Sequence, residues 1–224
     1  MKKCNSLSNQ VTRRILPIAC ATVLAVAFTV SLSQAAYAGG KVTPPTVPPN
    51  LQVEAGNKAF LKGEAQGTQN YFCAPSAASP TGVAYVLFTP EATLFSDDDG
   101  GQIITHFFSP NPDSRDPNTN AAVVALGGAI RATWVHSHDG SSIWAKLHTN
   151  GAAVVDKNAI AWLLLDAVGV EDGPTGGDIL AKTTFVQRVN TTGGLAPKSG
   201  CGSPGDLGNQ AFIPYTADYF YTKD

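Results

Sequence analysis

RATWVHSHDGSSIWAKLH, residues 131–148, alternates apolar and polar side chains on either side of Asp139-Gly140. A period of two marks extended strands, and an Asp-Gly pair between two such runs marks a tight turn. The stretch therefore reads as a β-hairpin. With Asp139-Gly140 as a two-residue turn, His138 pairs with Ser141, His136 with Ile143, Trp134 with Ala145 and Ala132 with Leu147. Those residues form one largely apolar face. Arg131, Thr133, Val135, Ser137, Ser142, Trp144, Lys146 and His148 form the other, which faces solvent.

The same period recurs along the chain. Strand-like runs are predicted over 58–66, 69–73, 82–89, 92–96, 102–108, 129–138, 141–149, 179–190 and 211–222, with glycine-containing turns between many of them. The apolar run AIAWLLLDAVGV (159–170) fits a fully buried strand, and a short helix would read the same way. Residues 109–120, SPNPDSRDPNTN, carry three prolines and form a surface loop. This pattern predicts an all-β, single-domain antiparallel β-sandwich, with a closed β-barrel or trefoil-like packing as the alternative.

The N-terminus speaks for export. Lys2, Lys3, Arg13 and Arg14 precede an apolar run (15–32), and Ala36-Tyr37-Ala38 has small residues where signal peptidase needs them. Residues 1–38 are predicted to be a signal peptide cleaved after Ala38, leaving no stable membrane anchor. Residues 39–50, GGKVTPPTVPPN, are a proline-rich linker, and 51–222 form the one β domain. The chain as a whole has a formal charge of −2. Beyond Ala38 it has 11 basic and 17 acidic residues, a net charge of −6. That sign excludes a nucleic-acid partner. Past the signal only Cys73 and Cys201 remain, and in an oxidising periplasm or extracellular medium they are expected to form one disulfide.

The sites that could carry chemistry are few. His136 and His138 lie two apart on one strand face, the spacing that lets both imidazoles reach one Zn or Cu ion. His148 falls on the opposite face, so a third ligand has to be His106, brought in by tertiary packing. Cupin-type sites add a glutamate after such a pair, and none follows here. A hydrogen-bonded histidine pair at a hairpin tip, with no cofactor, is the plainer reading. Asp97-Asp98-Asp99 reads as an acidic turn. Glu91 and Arg188 are charges inside apolar runs and are expected to form an ion pair. Tyr215, Ala217, Tyr219 and Tyr221 share a face that fills the core. Trp144, on the polar face, is the candidate for stacking on a ligand. No nucleophile elbow, phosphate-binding glycine loop or dinucleotide fingerprint is present.

GTQNYFC (67–73), TPEATLF (89–95), QIITHFF (102–108), IAWLLL (160–165), TTFVQRVNTTGGLAP (183–197) and IPYTADYFY (213–221) together resemble the exported bacterial and fungal family of domain of unknown function DUF3455. The resemblance covers nearly all of residues 50–222. It implies that Cys73 and Cys201 are the family's cysteines and that His106 stands at a position usual for it, whereas HFFSPNPD departs from the family's continuation into a longer loop. It implies no activity. The dehydrogenase label of some fungal members does not carry over, because the dinucleotide fingerprint is missing.

The function expected from these readings is an exported β protein that binds a small molecule, a glycan or a surface partner without catalysis. A metal-dependent enzyme using His106, His136 and His138, or a structural envelope or matrix protein, are the alternatives.

Overall fold

The computed structural model describes residues 42–116 and 127–224. The expected signal peptide and the cleavage after Ala38 lie outside the described residues, as does part of the 109–120 loop. Eight strands run in chain order: β1 (Lys58–Pro75), β2 (Val83–Phe95), β3 (Gln102–Pro110), β4 (Ile130–His136), β5 (Ser142–Ala153), β6 (Trp162–Glu171), β7 (Phe185–Gly193) and β8 (Gln210–Lys223). Each pairs antiparallel with the next, and β8 returns to pair with β1, from Lys58 opposite Lys223 to Phe72 opposite Gln210. The chain is all-β, and its single sheet closes into a barrel. The barrel that stood as the alternative packing is the one formed; the preferred sandwich is not.

Closure follows from strand length. Sequence turns separated 58–66 from 69–73 and 82–89 from 92–96, but in the fold each pair is one long strand. A bulge between Asn70 and Tyr71 bends β1 and lets it wrap. Pro90 sits inside β2 because the β2–β3 ladder runs only from Ala92 opposite His106 to Phe95 opposite Gln102. A proline there leaves no ladder bond unmade on that side. β8 starts at Gln210 and runs through Pro214, close to the predicted 211–222. Residues 159–170, open to either reading, supply β6. The predicted strand over 179–190 starts only at Phe185, and Leu180 turns inward to join the core.

The interior is filled in the lower part of the barrel by the inward residues of every wall. Leu94, Ile104, Trp134, Ile143, Leu165, Val186, Tyr219 and Tyr221 belong to one core cluster, so the tyrosine row of β8 fills the core as expected. The acidic stretch 97–99 turns β2 into β3, with Asp99 Oδ1 accepting from Gly101 N at 2.9 Å and Asp97 salt-bridged to Lys62. The outer wall is covered in two places. Leu51, at the end of the proline-rich arm, is fully buried, and its carbonyl accepts from Gln187 Nε2 at 2.7 Å.

Residues 111–116 fold back over β4, β5 and β6. Arg131 donates Nε and Nη2 to the two oxygens of Asp116 at 2.7 and 2.8 Å. Asn111 Nδ2 donates to Val168 O, and a Cβ at Gly169 would lie 2.2 Å from Asn111 Oδ1, so that strand position must be glycine for the loop to lie flat. Arg188 points into the barrel and Glu91 lies exposed on a strand whose neighbour Ala92 is buried, so the expected Glu91–Arg188 ion pair is not made.

Cys73, near the end of β1, is bonded to Cys201 in the β7–β8 connection, with Cα atoms 5.4 Å apart and 128 residues between them in sequence. The bond ties one strand of the wall to the longest described loop at that end of the barrel. Replacing both cysteines by serine is expected to lower unfolding stability by about 2–5 kcal/mol, the range for removing a long-loop disulfide. Urea unfolding of the oxidised protein and the double variant checks this, and equal midpoints would overturn it.

Candidate functional site

The two ends of the barrel differ. Connections after β2, β4 and β6 gather at one end, and those after β1, β3, β5 and β7 at the other. The first end is shut. Its centre is the HSHDGS turn, in which His136 N donates to Ser141 O and Gly140 N to His136 O, both at 2.9 Å. The hairpin is therefore real, but its register is Trp134 opposite Ile143 and Ala132 opposite Ala145, two residues from the predicted one. A shift of two keeps each paired side chain on its predicted face. It also removes His138 from the ladder and leaves it exposed in the turn.

Asp139 fastens that turn to the β6–β7 connection. Its Oδ1 accepts from Ser141 N and Oγ at 3.0 and 2.7 Å, and its Oδ2 from Ile179 N at 3.0 Å. Gly173 crosses so close to Asp139 O that a Cβ would meet it at 1.7 Å. Burial opposes ionisation of Asp139, but these hydrogen bonds and the neighbouring His136 outweigh it and hold the carboxyl below its usual range. Leu180, whose N–H donates to Ser141 Oγ at 3.0 Å, then closes the lumen from below.

The histidines are not gathered into one site. The His136 and His138 rings lie 5.4 Å apart at the shut end, and His136 Nδ1 is 3.2 Å from Asp139 Oδ1 without hydrogen-bond alignment. His106 sits further into the barrel, stacked on Trp134 at 4.3 Å with the rings nearly parallel. Among the described residues, no group of three or more His, Cys, Asp or Glu is placed to hold a metal ion. Trp144 lies on the outer face as predicted, but it is buried there, its ladder neighbour Gly169 lying against Asn111. It is 6 % exposed and donates Nε1 to Ser109 Oγ at 2.9 Å, so it offers no open stacking surface.

The other end opens onto a cavity of about 740 Å³ inside the barrel. Apolar side chains are exposed around it: Ile130, Leu147, Val154 and Leu195 line the cavity and are 43–74 % exposed, and Arg131, Lys146 and Lys157 also belong to the lining. The mouth is wide partly because β2 and β3 stop pairing above Ala92, between Leu87 and Pro90 on one side and Phe108 on the other.

The floor is aromatic and polar. Trp134 lies under His106, and Tyr219 meets both, edge-on to Trp134 at 5.7 Å and tilted to His106 at 5.3 Å. His106 Nδ1 is 2.8 Å from Thr133 O. A carbonyl only accepts, so Nδ1 carries the hydrogen and Nε2 presents a lone pair. Burial, with a smaller push from Arg188, lowers the His106 pKa to about 3 against the bond to Thr133 O.

Arg188 reaches the cavity from β7 and donates Nε and Nη2 to Ala161 O at 3.2 and 2.8 Å. Tyr71 donates its hydroxyl to Gly194 O at 2.6 Å, and the Tyr215 and Tyr219 hydroxyls are 3.4 Å apart. Burial raises the phenol pKa values of Tyr71 and Tyr215, and the charge of Arg188 works against both shifts. The described lining holds no carboxylate, thiol or aliphatic hydroxyl side chain. The sequence marked Arg188 as a charge in an apolar run. It gave no signal for Gln69, Tyr71 or Tyr219 as lining residues, because that depends on which strands face one another across the lumen.

These features define an eight-stranded up-and-down β-barrel, plugged at one end and open at the other. Residues 54–223 match the family model described as protein of unknown function (DUF3455), and the chain belongs to that family. Comparison with curated proteins and with solved structures gave no match.

The floor histidine fixes a pH dependence of stability. In the unfolded chain His106 takes a proton near pH 6.5, whereas in the barrel it stays neutral down to about 3. Between those values the unfolded chain binds more protons, so stability falls as pH drops through that window. His136, lowered chiefly by burial, acts in the same direction. The unfolding free energy is expected to decline between pH 6.5 and 4 by up to ~1.4 kcal/mol per pH unit for each such histidine. The decline should be shallower in His106→Gln. Equal slopes in wild type and variant, measured by urea unfolding across that range, would overturn the assignment.

Proposed function

We propose that the protein is an exported, non-catalytic binding protein that takes a small, largely apolar molecule into its barrel. The observation that carries this reading is the exposed apolar rim above the 740 Å³ cavity. Ligand pockets of this size and lining take molecules of drug-like dimensions, and eight-stranded barrels have room for one. A ring of solvated apolar side chains around a concavity is costly for an exported protein unless something covers it. The sequence supports export through its signal-like N-terminus, and the disulfide fits an oxidising compartment. No helix among the described residues is long and apolar enough to cross a membrane. A small molecule suits this mouth better than a glycan, which asks for exposed aromatic platforms and a polar rim.

A neutral dye whose fluorescence rises in apolar surroundings, N-phenyl-1-naphthylamine, tests the reading. The oxidised protein is expected to bind it saturably at one site. Ala132→Phe, which fills the lumen below the mouth, is expected to weaken binding at least about tenfold, a loss of ~1.4 kcal/mol, with the thermal midpoint retained. A flat titration of the wild type, or full binding by the folded variant, would refute lumen binding.

A further inference from the structure

We infer that the barrel selects an organic carboxylate, its apolar body under the rim and its head group held by Arg188 and Gln69; this rests on the lumen-binding reading above. Three independent features of the cavity point there.

The first is the charge of Arg188. The side chain is half-buried in the cavity wall, and no carboxylate among the described residues lies within ion-pair distance of it. Its two hydrogen bonds both end on Ala161 O, which supplies a dipole but no countercharge, and the guanidinium has further N–H groups. A cation held in a low-dielectric wall without an anion is costly, and a ligand carboxylate removes that cost.

The second is Gln69. Its side chain lines the same cavity and is 2 % exposed, yet Nε2 completes no well-formed hydrogen bond, its one near polar neighbour being the Tyr215 hydroxyl. It packs with Tyr215 against Gly194, and β1, which carries Gln69, and β7, which carries Arg188, both flank β8, where Arg188 is opposite Tyr219. The amide donor and the unpaired cation therefore stand on the same side of the lumen. An unmet buried donor costs about as much as a lost hydrogen bond, and a ligand oxygen supplies the acceptor.

The third is the sign of the whole lining. The chain has 17 acidic residues against 15 basic ones, yet the described lining has Arg131, Lys146, Lys157 and Arg188 and no Asp or Glu. Arg131 is already paired with Asp116, and the lysines are alkyl-stemmed cations near the rim, so Arg188 is the charge left for the ligand. His106 sharpens the placement. Its Nε2 offers only a lone pair, which repels a carboxylate, so the head group belongs on the Gln69 side of Arg188.

Three molecules with one tail and different heads test this: decanoate, decanol and decylamine, each displacing the neutral dye at pH 7 in about 0.15 M salt, which screens the rim lysines. Decanoate is expected to displace the dye at concentrations roughly 10-fold to 100-fold below decanol, as one charge-assisted hydrogen-bonded contact predicts, with decylamine weakest. The ratio of decanoate to decanol affinity, read within each variant, should fall to about twofold or less in Arg188→Met. In Gln69→Leu, which keeps the Arg188 tether to Ala161, it should fall several-fold, and this variant decides the matter if Arg188→Met does not fold. Equal displacement by decanoate and decanol in the wild type, or an undiminished ratio in the folded variants, overturns the carboxylate assignment while leaving lumen binding standing. Failure of the dye to bind at all removes both.

Discussion

Pairing of the first strand with the last is the constraint on which everything else depends. The β1–β8 ladder runs from Lys58 opposite Lys223 to Phe72 opposite Gln210. It leaves no free sheet edge and turns the two faces of one sheet into an inside and an outside. Without it, the row Tyr215, Ala217, Tyr219 and Tyr221 would be one apolar stripe on an open sheet. With it, that row becomes a wall of a lumen whose opposite side carries Trp134 and Ile143. The Cys73–Cys201 bond reinforces this seam, fixing the end of β1 to the loop that leads into β8.

Once the sheet is closed, the two ends determine what the barrel is for. At the shut end a short turn, Asp139 and Leu180 use backbone donors and one apolar side chain to stopper the lumen. At the open end β2 and β3 part above Ala92, and no side chain among the described residues takes the place of Leu180. Side chains that would stabilise the fold if buried, such as Leu147 and Val154, are left in water instead. Stability alone does not favour that arrangement.

The floor of the cavity is tuned by burial more than by charge. His106 is kept neutral mainly because it is out of water, and Arg188 is a secondary influence on it and on the tyrosines around it. The outcome is a pocket with an acceptor on one side, donors on the other and a fixed positive charge between apolar walls.

The sequence by itself determined what depends on local pattern. Alternation in 131–148 placed Trp134 inward and Trp144 outward, Asp139-Gly140 marked a turn, the tyrosine row read as core, and two leftover cysteines implied one bond. These survive errors of detail because side-chain direction repeats every two residues: the hairpin is two residues out of register, and the paired residues Ala132 to Val135 and Ser142 to Ala145 keep their predicted faces. What needs partners distant in sequence was decided only in three dimensions. The β1–β8 pairing made a barrel rather than a sandwich, Trp144 was buried with its Nε1 on Ser109, and Arg188 turned into the lumen and onto Ala161 O rather than to Glu91. Local periodicity fixes which way a side chain points, but closure of the sheet fixes what it meets there.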